Sequence, residues 1–203
     1  MPKLPKEIKS IKYLAEGKRS IVYTGYLNSQ KVSIKTTHPK SEAKGRVSNE
    51  AKYLVRLNKN SIGPTLISKG KDYIIYKFVD GQLFTDYLKE NKKPFLIIKK
   101  ILQQCRTLDK LKINKLEFTR PKKHIFIKKN QVTMIDFERC YKTDNPKNVT
   151  QFCQFLMRKN TEKYFKINKI QLRQILKKYK GNQSNKNFDE IIRFLEHSFS
   201  SSS

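Results

Sequence analysis

The sequence predicts an α+β protein of two lobes, the first rich in strands and the second in helices. Three observations carry this expectation. β-branched and aromatic runs bounded by Gly, Asn and Ser crowd residues 1–81. From Phe95 onward, apolar residues recur at a helical period. A single short hairpin interrupts those helices, which places strands and helices in separate blocks rather than in alternation. A chain of 203 residues is long enough for one sizeable core, or for two small lobes that share one.

The first lobe is expected over residues 1–81. Ile11–Ala15 and Ile21–Tyr26 read as strands on either side of the turn Glu16-Gly17-Lys18-Arg19-Ser20. A second turn, Leu27-Asn28-Ser29-Gln30, leads into a strand at Lys31–Thr36, and Thr37–Lys44 is a polar connection containing Pro39. Glu42–Asn58 reads as a helix, because Val47, Leu54 and Leu57 share one face. Glu50 falls inside the same stripe. A carboxylate there is costly to bury unless a cation meets it, and the alternative is a glutamate at the rim reaching water. Ser61-Ile62-Gly63-Pro64 ends the helix, Leu66–Ser68 and Tyr73–Val79 read as strands, and Asp80-Gly81-Gln82 stops the second of them.

The second lobe is expected over residues 82–199. It opens with a short helix at Leu83–Asn91 and a longer amphipathic one at Phe95–Leu111. Lys112–Lys123 reads as a connection. His124–Ile127 and Val132–Ile135 form a hairpin around Lys128-Lys129-Asn130-Gln131. Three more helical faces follow, led by Val149 and Phe152, by Leu172 and Ile175, and by Phe188 and Ile191, with Gly181–Asn187 linking the last two. The tail at residues 200–203 is expected to be disordered.

Forty-five Lys+Arg against 17 Asp+Glu give a net charge of +28, which favours anionic partners such as nucleic acid, nucleotide phosphates or an acidic protein. Compositional drift toward Lys, Asn and Ile is the other source of such an excess. Three cysteines at unrelated spacings show no metal or disulfide pattern, which fits a reducing, cytoplasmic setting. The N-terminal residues lack the apolar stretch of a signal peptide, and no run approaches the about 20 apolar residues of a membrane span, so no membrane partner is expected.

The residues that promise chemistry are few. Ala15-Glu16-Gly17-Lys18-Arg19-Ser20-Ile21-Val22 lies on the pattern G-x-G-x-x-G-x-V with small residues in place of two glycines, as a turn approaching a phosphate requires. Any hairpin uses such residues, and that reading stays open. Val32-Ser33-Ile34-Lys35 ends a buried strand on a lysine, and Glu50 offers it a partner on the next helix. Ile135-Asp136-Phe137-Glu138 closes the hairpin with a hard carboxylate of the kind magnesium takes, or with an ordinary turn-initiating aspartate. His124 opens the same hairpin, as a structural histidine or as a ligand.

Together these segments resemble the protein-kinase-like superfamily, and within it the small predicted serine/threonine kinases of archaea. Those are relatives of the RIO-type kinases and of the kinase subunit of the tRNA threonylcarbamoyl-adenosine machinery. The resemblance covers roughly Ile11 to Cys153 and implies a two-lobed kinase-like fold with a reduced helical second lobe, binding ATP and Mg2+. It implies that Gly17, Ser20 and Val22 line the nucleotide, that Lys35 contacts its phosphates, and that Glu50 orients Lys35. Asp136 and His124 would hold the metal, and Lys77, Phe78 and Val79 would meet the adenine.

The departures matter as much. Counting back from His124 as the metal-binding position, the catalytic aspartate of such kinases falls on Thr119, and no aspartate lies between Leu111 and Val132. Glu117 is the acid available for the acid/base role. Glu138 stands where protein kinases have glycine, and a glutamate after Asp-Phe also occurs in choline-kinase-like and aminoglycoside phosphotransferases. Three functions follow as expectations: an ATP-dependent phosphotransferase or ATPase of the small-kinase type, its acceptor open and a protein substrate or RNA-modifying complex among its candidate partners; a catalytically silent module binding RNA or an RNA-modifying partner; and a small-molecule kinase.

Overall fold

The computed structural model describes residues 4–43, 45–90, 94–119, 121–162, 164 and 167–200. The chain divides into two units, residues 1–81 with 133–140, and residues 82–132 with 141–203. The first unit therefore takes back Thr133–Cys140, the end of the hairpin's second strand and the segment after it, which the sequence reading leaves with the second lobe.

The first unit is built on a five-stranded antiparallel sheet of order β1-β2-β3-β5-β4, comprising β1 (Lys9–Glu16), β2 (Ser20–Leu27), β3 (Gln30–Thr37), β4 (Leu66–Lys69) and β5 (Tyr73–Lys77). β3 is central, and its residues 32–36 are all buried. Val32 and Ile34 pack with Ile8 and Ile75 on one face. On the other, Lys35 stands in register between Val22 and Ile74. The helix α1 (Arg46–Asn58) starts later than its sequence suggests, because Gly45 precedes it in the left-handed region at φ 74. Upstream, the Lys40 N–H bonds to the His38 ring and the Ser41 N–H to the His38 carbonyl, so this stretch is turned rather than helical. Val47, Glu50, Ala51, Leu54 and Leu57 form the buried stripe, glutamate included. After α1, the Asn58 side chain binds the Ile62 and Pro64 carbonyls and accepts the Leu66 N–H, which turns the chain into β4.

The second unit holds α2 (Phe84–Glu90), α3 (Phe95–Lys110), α4 (Asn148–Leu156), α5 (Lys159–Glu162), α6 (Lys169–Gly181) and α7 (Asn185–Ser200). Three further strands, β6 (Gln82–Leu83), β8 (Ile125–Lys128) and β9 (Gln131–Met134), form a small sheet of that order. The β8–β9 turn is two residues long, with Lys129 and Asn130 both at positive φ, as a tight hairpin demands. The expected connection Lys112–Lys123 is instead a short strand β7 (Ile113–Lys115) followed by 3-10 turns, with β7 paired to β10 (Cys140–Lys142). A buried polar network fixes this region. Asp109 on α3 accepts from the Asn148 N–H at 2.9 Å, the Asn148 amide at 2.7 Å and the Tyr179 hydroxyl at 2.9 Å, tying α3, α4 and α6 together. The link between α6 and α7 is shorter than its composition suggests, and residues 201–203 of the expected tail lie outside the described residues. The protein is thus α+β, with an antiparallel sheet and a helical remainder. No helix of the described residues is long and apolar enough to cross a membrane.

Candidate active site

The site assembles inside the first unit around the Lys35 ammonium. The pleat of β3 turns Lys35 toward α1, where Glu50 occupies the buried stripe, and the two meet at 2.6 Å. Asp136 Oδ1 lies 2.9 Å from the same Nζ and Glu138 Oε2 lies 3.1 Å away. Lys35, Glu50 and Glu138 are almost fully enclosed, whereas the Asp136 side chain is 26% exposed. Asp136 is therefore the carboxylate of this cluster that opens to solvent.

Backbone geometry explains how two acids reach one lysine from the three-residue segment Asp136-Phe137-Glu138. Asp136 sits at φ 66, a left-handed conformation that Asp tolerates better than most residues. The Phe137 N–H then donates to Glu50 Oε1 at 3.1 Å, and the Phe137 ring is buried beside Leu54 and Gly63. Glu138 follows on the lysine side, with Arg19 of the β1–β2 turn 3.6 Å from its other oxygen. Asn49, one residue before Glu50, donates its amide to the Glu138 carbonyl at 2.9 Å and the Cys140 carbonyl at 3.0 Å. Consecutive residues of α1 thus hold the segment at both ends.

The charges respond to this packing. Burial alone would lower the Lys35 ammonium, but Glu50, Asp136 and Glu138 together outweigh it and hold the group well above the ordinary lysine range. Burial lifts the Glu50 carboxyl above its ordinary range, against the pull of Lys35 and the Phe137 N–H. Tyr76, on the neighbouring strand, is raised far above the usual phenol by burial and by the charge of Glu50.

Among the described residues, the carboxylate oxygens of Glu50, Asp136 and Glu138 all lie within 4.8 Å of one another. One ammonium faces three carboxyl groups, so negative charge is in excess. Hard oxygen donors with one partly open carboxylate are the chemistry that a magnesium ion takes, with water or phosphate completing its shell. The donor set fits such an ion at Asp136.

The remaining predicted residues fall in separate places. Gly17 and Ser20 close the β1–β2 turn through a 2.9 Å backbone bond, and a side-chain carbon added at Gly17 would meet open space. Val22 is half-buried directly across from Lys35. Lys77 ends β5 and is exposed, while Phe78 and Val79 are half-buried, with the Phe78 ring under the Lys31 ammonium at 3.8 Å. Glu117 and His124 belong to the second unit. There Glu117 is buried with its carboxylate 3.4 Å from the enclosed Lys115 ammonium, and His124 precedes β8, outside the acid cluster of the first unit. Arg19, Asn49 and the ion pairs of Glu138 are additions that the sequence reading did not make. Glu138 was legible only as a residue out of pattern, and an amide-to-carbonyl bond spanning 89 positions leaves no local signal.

No protein-family model matches this chain, and no curated protein is similar to it in sequence.

Proposed function

We propose that the protein is an atypical ATP-dependent phosphotransferase or ATPase of the protein-kinase-like kind, with its nucleotide-phosphate and metal residues on the first unit. The observation that carries the reading is the Lys35 ammonium held by Glu50 at 2.6 Å with Asp136 at 2.9 Å. When bound, ATP and Mg2+ supply the transferable phosphoryl group and the charge that neutralises its oxygens. The protein's part is positioning and electrostatics. Glu50 keeps Lys35 charged and aimed, Lys35 stabilises phosphate charge, and Asp136 offers its open carboxylate to the metal. The β1–β2 turn at Gly17 and Ser20, with Val22 beside it, is assigned to the phosphates, and Lys77–Val79 to the base. Glu117 and His124, expected from the sequence as acid/base and metal ligand, belong to the second unit and are no part of this reading.

Magnesium-dependent ATP turnover tests it. Lys35→Ala and Asp136→Asn should each lower turnover on the order of a hundredfold, as removal of a charge-stabilising group does in comparable sites. Turnover unchanged in either variant would reject the assignment.

One observation favours a second reading, a kinase-like module that binds nucleotide without transfer. Glu138 bridges Lys35 and Arg19, so the cations that would meet phosphate already share a carboxylate. Nucleotide-induced thermal stabilisation without turnover would select it; a hundredfold excess of ligand over its Kd corresponds to about 2.7 kcal/mol.

A further inference from the structure

The second unit carries a groove of about 760 Å³ between α4 and α6. Among the described residues five cations line it, Lys147, Arg158, Arg173, Lys177 and Lys180, all exposed, and no carboxylate does. Arg173, Lys177 and Lys180 fall at i, i+4 and i+7 on α6 and so share one helical face. Across from them, Thr150, Gln151 and Gln154 place a hydroxyl and two amides along α4. Met157 and Leu176 complete the lining, and both are buried.

We propose that this groove docks double-stranded RNA along its backbone. The cations match a line of phosphates, and phosphate contact gives affinity without reading sequence. Among the described residues no aromatic side chain lines the groove, so none of them offers the stacking platform for unpaired bases that single-strand binders use. The Gln151 and Gln154 amides on α4 suit 2′-hydroxyls, which donate and accept and which DNA lacks. This inference is independent of the nucleotide site, whose residues lie in the first unit.

The test is fluorescence anisotropy of the full chain with a blunt duplex RNA of about 20 base pairs, across a salt series. Wild type should bind with log Kd rising against log salt with a slope of about 4.5, about 0.9 for each of the five cations that neutralises a phosphate. Arg173→Gln combined with Lys177→Gln should lower that slope by about 2 and weaken binding at least tenfold at physiological salt. Lys122→Gln combined with Lys123→Gln removes the same charge elsewhere on the unit and should change affinity less than about twofold. Gln151→Ala combined with Gln154→Ala should erase a preference for RNA over duplex DNA of the same sequence. Asp136→Asn should bind RNA as wild type does. The proposal is overturned by undetectable RNA binding, by equal losses in the two lysine/arginine pairs, by equal wild-type affinity for duplex DNA, or by polyglutamate competing as well as RNA at matched charge.

Discussion

Glu50 and Phe137 are joined by a 3.1 Å bond from the Phe137 N–H to one carboxylate oxygen, while the other oxygen of Glu50 binds Lys35. Glu50 therefore serves charge balance and backbone placement at once. Glu50→Ala removes both and should destabilise the fold by about 3 kcal/mol, the scale for breaking a buried ion pair from one side. Glu50→Gln keeps an acceptor for Phe137 and should lose less. Urea denaturation of the two variants separates the roles; equal losses would show that the backbone bond contributes nothing.

The Lys35 charge sets a pH dependence. Its folded pKa lies well above that of a free lysine, so the stability it contributes is fully present below about pH 10.4 and is lost only as pH rises through the higher folded value. The stability gap between wild type and Lys35→Met should stay flat from about pH 7 to about pH 10. A gap that closes within that window would mean that burial, not the carboxylates, governs the lysine. With the ammonium gone, three clustered carboxyl groups remain, and added Mg2+ should stabilise Lys35→Met more than wild type in the same titration.

Gly63 sits at φ 81, and a side-chain carbon there would lie 2.8 Å from Leu54 and 2.9 Å from the Phe137 ring. Gly63→Ala combines backbone strain with a steric push on the residue next to Asp136. A loss of about 2 kcal/mol is expected by denaturant unfolding, with weakened nucleotide-induced stabilisation. Stability within about 0.5 kcal/mol of wild type would contradict the tight packing at this turn.

Buried ionisable groups give an alkaline signature. Tyr76 and Tyr179 are raised far above the usual phenol, in both cases chiefly by burial, and burial likewise raises the Cys105 and Cys153 thiols. A raised folded pKa means that these groups favour the fold at pH values below their unfolded pKa. That contribution falls away as pH climbs through the ionisation range of the unfolded chain toward the higher folded value. Absorbance at 295 nm should show these two phenols ionising together with unfolding rather than before it. The three buried thiols should react with a disulfide reagent only on the timescale of opening.

Periodicity made the Lys35–Glu50 encounter legible, since a strand ending in lysine and a helix with glutamate in its apolar stripe require each other. The five strands of the first unit were legible too, through turn residues bounding β-branched runs, though not the order in which they pair. What stayed hidden depends on contacts between distant segments. β7 is three residues long and includes a fully enclosed lysine, Lys115, so neither alternation nor hydrophobicity marks it as a strand. The late start of α1 depends on the left-handed Gly45, which Glu42 and the residues around it do not reveal. Arg19 and Asn49 looked like ordinary polar residues, because what they bind lies beyond position 136 in the chain.

The clasp of Asn49 and Glu50 on residues 137–140 makes α1 the carrier of Asp136, rather than the strand that precedes it. Any effector that slid or tilted α1 would drag the open carboxylate with it. The helix is in that sense a drawbar for the carboxylate.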